Sequence, residues 1–186
     1  MNSAELLADA TLTLSSWVAP DAGQEDLRRS YLKHLATHPD GMFRCCLPAH
    51  LTASAIVLDP PVRRVLLALH AKAKRWLQLG GHCEPGDQTL RDVAAREAAE
   101  ESGIPNLTLL PEPVRLDRHQ VRCRSGMAEH LDVHLDVQFA AVAPADALLK
   151  VSEESLGLRW FDVDALPDDA DASLRRLVTS ALAALC

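Results

Sequence analysis

The stretch Gly80–Ile104, GGHCEPGDQTLRDVAAREAAEESGI, decides how the rest of the chain is read. Its second half predicts a helix over Gln88–Ser102, with Gly103 as the C-terminal cap and Pro105 preventing continuation. Glu97, Glu100 and Glu101 stand at relative positions 0, 3 and 4, so on such a helix they project from one face. Like charges this crowded cost helix stability, and something positive is expected among them. Hard divalent cations with oxygen ligands meet that need, and Mg²⁺ is the usual one beside phosphates. Arg96 sits next to them and can hold one carboxylate in orientation. A bare E-x-x-E-E is more often a solvated acidic face, but the preceding loop changes that reading. Gly80, Gly81 and Gly86 bracket a segment that also carries His82, Glu84 and Asp87. Glycines let the backbone approach a ligand closely, and an inward-turned carbonyl adds an oxygen donor. A glycine-rich loop running into a carboxylate-lined helix is the composition of a metal–phosphate site.

In register, the segment resembles the Nudix box: G, five residues, E, seven residues, then R-E-U-x-E-E-x-G-U, with U a bulky apolar residue. Gly81 matches the first glycine, and Arg96, Glu97, Glu100, Glu101, Gly103 and Ile104 match the second half. Three departures are specific. Asp87 replaces the first glutamate, eight residues rather than seven separate it from Arg96, and Ala98 is smaller than usual. The extra residue is expected in the loop, where insertions are tolerated. The resemblance covers about Pro48 to Leu166. It takes in a hairpin before the box, LDVHLDVQFAAV after it and SEESLGLRWFDVDALP near the end.

The resemblance implies an α/β/α sandwich with a mixed sheet. It also implies Mg²⁺ or Mn²⁺ held by Glu97, Glu100, Glu101 and the Gly81 carbonyl. In that scheme Glu97 and Glu101 are direct ligands, Glu100 is a ligand or general base, and Arg96 orients a glutamate. An acidic residue near the end of the domain, for which Glu154 is preferred, approaches the metals as base or extra ligand. The implied reaction is hydrolysis of a diphosphate linkage in a nucleoside diphosphate joined to another group, of the nucleoside triphosphate, nucleotide sugar or ADP-ribose type. The rival reading is a Nudix-fold module that senses a nucleotide without turning it over. Isoprenoid diphosphate isomerase shares the fold but needs a catalytic cysteine in a suitable strand context, and none stands out.

Outward from the box, Ser3–His38 reads as helical: Leu6, Leu7, Ala10, Leu14 and Trp17 fall near one face. Pro20 and Gly23 punctuate it, and Asp21 is placed to cap a second helix carrying Leu27, Tyr31, Leu32 and Leu35. After a turn at His38–Gly41, Leu51–Leu58 and Val62–His70 read as a hairpin about Asp59-Pro60-Pro61. Trp76–Leu79, Leu107–Leu110, Val114–Leu116 and Leu158–Phe161 look extended, and a helix over Ala172–Leu185 closes the chain. Leu131–Val142 alternates, with Leu131, Val133, Leu135 and Val137 on one face and His130, Asp132, His134, Asp136 and Gln138 on the other. The division expected is an N-terminal helical extension over residues 1–40 and a Nudix domain over 41–186.

A formal net charge of −7 argues against a nucleic-acid polymer as partner, since such binding needs a basic face to displace counterions. It leaves a small phosphorylated ligand open, because a metal reverses the local field. The five cysteines are odd in number and have no framework spacing, so free thiols in a reducing cytoplasm are expected. Neither a signal peptide nor a membrane span is legible, and a cytoplasmic protein is expected. The leucine-rich N-terminal helices are placed to cover the sheet, form a homodimer interface or cap the pocket. His119, Cys123, His130 and His134 are of zinc-ligand type, but they lack the paired C-x-x-C element. They read first as a polar strand face and next as substrate contacts, with His134 preferred. His82 is placed to contact phosphate or face solvent, and Glu84 to approach the ligand or its metal from outside.

Overall fold

The computed structural model describes residues 3–125, 128–152 and 155–185; the side chains of residue 3 and residues 122–130 lie outside the description. Helix α1 (Ser3–Ser16) is followed by α2 (Ala22–Thr37), whose first turn is capped as expected: the Gln24 N–H donates to the Asp21 carboxylate at 2.9 Å. Leu6, Ala10, Leu14 and Trp17 are buried with Tyr31 and Leu35 in one cluster that also holds Leu51, Ala53, Val57, Leu135 and Val137. The N-terminal helices therefore cover the sheet. Their buried leucines meet this chain's own core.

Among the described residues the sheet has eight strands: β1 (Ala49–Leu58), β2 (Arg64–His70), β3 (Trp76–Leu77), β4 (Leu79–His82), β5 (Thr108–Leu109), β6 (Arg115–Ser125), β7 (Ala128–Val142) and β8 (Ser155–Asp162). The expected β1–β2 hairpin is present and antiparallel, with Val57 opposite Leu66. β1 and β7 run parallel over ten residue pairs, from Ala49 opposite Val133 to Leu58 opposite Val142. The other edge of β1 is shared. β4 pairs with its first half (Thr52 opposite His82) and β2 with its end.

Alternation on β1 assigns the two faces. Leu51, Ala53, Ala55 and Val57 turn toward α1, α2 and α3 (Leu90–Ser102), where Val93, Ala94 and Ala98 join the same core. Ile56 and Leu58 turn the other way and pack with Val65, Leu67 and Ala140 beneath α4 (Ala172–Leu185), through Leu174, Leu177, Val178 and Ala181. These layers make the α/β/α sandwich with a mixed sheet and an N-terminal helical extension. No helix among the described residues is long and apolar enough to cross a membrane.

Several boundaries differ from expectation, three of them with a physical reason. β1 begins at Ala49, which brings His50 into the strand. β6 continues to Ser125, well beyond Val114–Leu116, because its polar residues pair along β7 rather than face a core. Helix α3 starts at Leu90 instead of Gln88, since Thr89 takes the cap position and accepts the Asp92 N–H at 3.0 Å.

The polar face of β7 is also not an ordinary solvated one. Asp132, Asp136 and Gln138 are buried, alongside His50, Thr52 and Ser54 of β1. Burial without water requires internal partners. Asp136 accepts hydrogen bonds from Thr52 Oγ1 at 3.0 Å, Ser54 Oγ at 2.7 Å and Gln138 Nε2 at 3.1 Å.

Candidate active site

Helix α3 ends on the cap expected of it: Gly103 adopts φ 70°, and its N–H donates to the Ala99 carbonyl at 2.8 Å. The helix presents Arg96, Glu97, Glu100 and Glu101 to the loop and strand before it. Arg96 organises the group. Its Nε and one terminal nitrogen each donate to a different oxygen of Asp87 at 3.0 Å, a two-pronged pairing that suits the planar guanidinium. It also donates to Glu97 at 3.1 Å, to Glu100 at 3.4 Å and to the His82 carbonyl at 3.0 Å. The hydrogen bond to Asp87 leads in raising the Arg96 pKa further above its ordinary value, against the effect of burial. The positive charge expected among the glutamates is thus supplied in part by Arg96 itself.

The glutamates divide by exposure. The Glu101 side chain is buried and its Oε2 accepts the Gly80 N–H at 3.3 Å. The Glu97 carboxylate lies over Gly81, so close that a Cβ built there would sit 2.6 Å from it. Only glycine leaves room for that approach. The Glu100 side chain is 61% exposed. Two shielded carboxylates meeting a glycine backbone, with a third reaching solvent, form an oxygen-donor set of the type that suits Mg²⁺ or Mn²⁺, and these residues fit such an ion.

The remaining expected residues are dispersed. Glu84 is exposed, and its N–H donates to Asp87 at 2.7 Å, which closes the loop around Arg96. Glu154, expected as base or extra ligand, lies outside the described residues. Gly81 turns toward α3, so His82 points to the opposite face of β4. Its ring stands 5.1 Å from that of His50 and 4.9 Å from that of His134, and its Nε2 is shielded from solvent. Of the two readings given for His82, the solvent-facing one does not describe its shielded Nε2. Of the residues with zinc-type spacing, the Cys123 and His130 side chains lie outside the described residues. His119 stands beside His134 with ring centres 5.4 Å apart and is tied through Nδ1 to Asp117 at 2.8 Å.

Cys45, Cys46 and Cys83 are free thiols. Burial pushes Cys83 up to about 12 and Cys46 up to about 11, so neither is an activated nucleophile.

The reading of the sequence missed Asp87 as the main partner of Arg96, Gly80 as a donor to Glu101, and His50. The first two carried a signal in the box itself, where an acidic residue and a glycine hold set positions. His50 carried the faint one of polar alternation through His50, Thr52 and Ser54 opposite Leu51, Ala53 and Ala55.

Comparison with known proteins places the fold. The family model for the NUDIX domain matches residues 48–181. The chain belongs to that family and is an enzyme of it, a hydrolase acting on phosphorus-containing acid anhydrides. A solved NUDIX-family hydrolase from Clostridium perfringens is 26% identical, with TM-score 0.53, covering 74% of this chain and 98% of its own. The dihydroneopterin triphosphate pyrophosphohydrolase of E. coli is 20% identical, with TM-score 0.53 and coverage of 69% and 91%. A C. elegans Ap4A hydrolase, solved as a binary complex, is 20% identical, with TM-score 0.50 and coverage of 73% and 96%. Among curated protein sequences none matches this chain.

Proposed function

We propose that this enzyme hydrolyses a diphosphate linkage in a nucleoside diphosphate joined to another group, of the nucleoside triphosphate, nucleotide sugar or ADP-ribose type, with Mg²⁺ or Mn²⁺. The observation that carries the reading is the meeting of Glu97 and Glu101 with Gly81 and Gly80 under the control of Arg96. Glu97, Glu100, Glu101 and the Gly81 carbonyl would hold the metal. When bound, the ion polarises the phosphoryl oxygens and offsets charge that develops as the linkage breaks. The chain's own residues do the rest. Asp87 fixes Arg96, and Arg96 orients Glu97. The Gly80 N–H holds Glu101. Glu100 is exposed enough to take a proton from an attacking water, and Glu154 is the other candidate for that role. Glu84 stands at the outer rim of the loop. His82 on β4 and His134 on β7 share the opposite sheet face with His50, and a contact with a phosphorylated ligand from there is the reading we keep for them. Residues 41–186 form the catalytic unit and 1–40 its cover, in a cytoplasmic protein.

The test is a substrate panel with and without Mg²⁺ or Mn²⁺, run beside the Glu101→Gln variant. Dihydroneopterin triphosphate and Ap4A belong on that panel because two structural neighbours are named for them. Metal-dependent release of phosphate or nucleotide that collapses in the variant is the expected result. No turnover, with a nucleotide still protecting the fold against heat, points instead to the sensing module.

A further inference from the structure

We propose that His50, His82 and His134 form a second metal site, separate from the carboxylates, that takes a divalent transition-metal ion of the zinc type. Three strands supply one imidazole each. His50 on β1 is the ladder partner of His134 on β7, and His82 on β4 is opposite Thr52, two residues along β1 on the same face. The ring centres are 5.1, 4.9 and 4.9 Å apart, a near-equilateral triangle. One ring nitrogen from each lies within 4.8 Å of the other two. Zinc holds imidazole nitrogens at about 2.0–2.1 Å, hence about 3.3 Å from one another in a tetrahedron. The proposed site therefore requires the three rings to draw closer on binding.

Simple ring packing accounts poorly for this arrangement. His50 is fully buried, and the His82 Nε2 is shielded from solvent with no hydrogen-bond partner among the described residues. Burying a polar nitrogen that way is costly unless something satisfies it. A carboxylate also stands beside the cluster. His50 Nδ1 is 3.1 Å from Asp132 Oδ2, with both side chains fully buried, and Asp132 Oδ1 accepts the Val133 N–H at 2.8 Å. At that distance the ring is not angled to hydrogen-bond the carboxylate; turned to do so, it would keep its other nitrogen as the electron-pair donor, the usual support of a metal-bound histidine.

Three nitrogen donors favour zinc, cobalt, nickel or copper over Mg²⁺, which prefers oxygen. Three protein ligands also leave a fourth coordination position. The proposal does not rest on the hydrolase reading, because β4 sends Gly81 to one face and His82 to the other. The two sites touch through one backbone group, the His82 carbonyl held by Arg96 at 3.0 Å.

The test is metal binding by the full chain after chelator treatment, read by Zn²⁺ stoichiometry, by the visible absorption of Co²⁺ in its place and by thermal shift. One equivalent is expected, with a tetrahedral Co²⁺ spectrum and a raised melting temperature. His82→Gln and His134→Gln should each weaken binding by more than the roughly 10–100-fold contributed by a supporting carboxylate, and Asp132→Asn should fall within that range. His119→Gln and the double variant E97Q/E101Q should keep the site, the latter separating it from the carboxylates. Circular dichroism checks that each variant folds. Sub-stoichiometric binding, an octahedral Co²⁺ spectrum, or equal affinity in folded His82→Gln and His134→Gln would overturn the proposal. So would inorganic phosphate stabilising the metal-free chain in a His82-dependent way while Zn²⁺ does not, since Arg44 and Lys72 suit an anion.

Discussion

Arg96 grips both carboxylate oxygens of Asp87 at 3.0 Å each, and this pair decides where the rest of the guanidinium points. Asp87 stands where the Nudix pattern has glutamate, followed by one residue more than the pattern has, and still reaches its partner. Asp87→Asn replaces one acceptor with an N–H that faces another N–H. We expect kcat/KM to fall about 10–100-fold and stability by about 1–3 kcal/mol, below the loss for a fully buried pair because Arg96 is partly exposed. Steady-state kinetics and urea unfolding measure the two losses, and an unchanged kcat would show that Arg96 keeps its place without Asp87.

Adjacent glycines should fail differently. At Gly81 a new methyl meets the mobile end of Glu97, which can swing away. Gly81→Ala is therefore expected to cost less than about 1 kcal/mol of stability yet reduce metal-dependent activity at least tenfold, because the displaced group is a proposed ligand. At Gly80 the methyl runs into Cα and Cβ of Ser54 across the ladder. Gly80→Ala should cost about 2 kcal/mol or more, as overpacking does. If both variants lost stability equally, the contrast drawn from the contacts would be wrong.

The Asp117–His119 pair predicts a pH window. Burial acts to raise Asp117, but hydrogen bonds from His119 and Ser173 bring it below its ordinary value. Burial likewise acts to lower His119, and the carboxylate beside it leaves the pKa raised. The Asp117 contribution is present above its unfolded value near 3.9 and is lost as pH falls through the depressed one. The His119 contribution is complete below about 6.5 and is lost as pH rises through the raised one. The pair is at full strength between about pH 4 and 6.5, and with His119 40% exposed it is worth under about 1 kcal/mol. An NMR titration should place His119 above 6.5, and His119→Ala should flatten the high-pH loss of stability.

The Leu90 N–H at the start of α3 donates to the Asp9 carboxylate of α1 at 2.8 Å. Removing that acceptor should cost about 1 kcal/mol, or roughly 2–4 °C of melting temperature at this chain length. Asp9→Ala should show the loss, whereas Asp9→Asn, which keeps an oxygen in place, should recover most of it. Equal melting temperatures in the two variants would mean that the contact contributes little.

How much was legible follows from the range of each interaction. The helix carrying Glu97, Glu100 and Glu101, its Gly103 cap, the Asp21 cap, the β1–β2 hairpin and the alternation of β7 are all set by residues a few positions apart. Periodicity, propensity and turn chemistry act over that distance, so the sequence by itself determined them, and the box carried the family as well. The meeting of His50, His82 and His134 depends on strands far apart in the chain and on the register of β1 against β4 and β7. The burial of Asp136 depends on the same pairings, and the docking of α1 and α2 depends on which sheet face lay open. Tertiary structure alone decided these. A one-residue slip along β1 would turn His50 toward α3 and leave its neighbours unchanged in sequence.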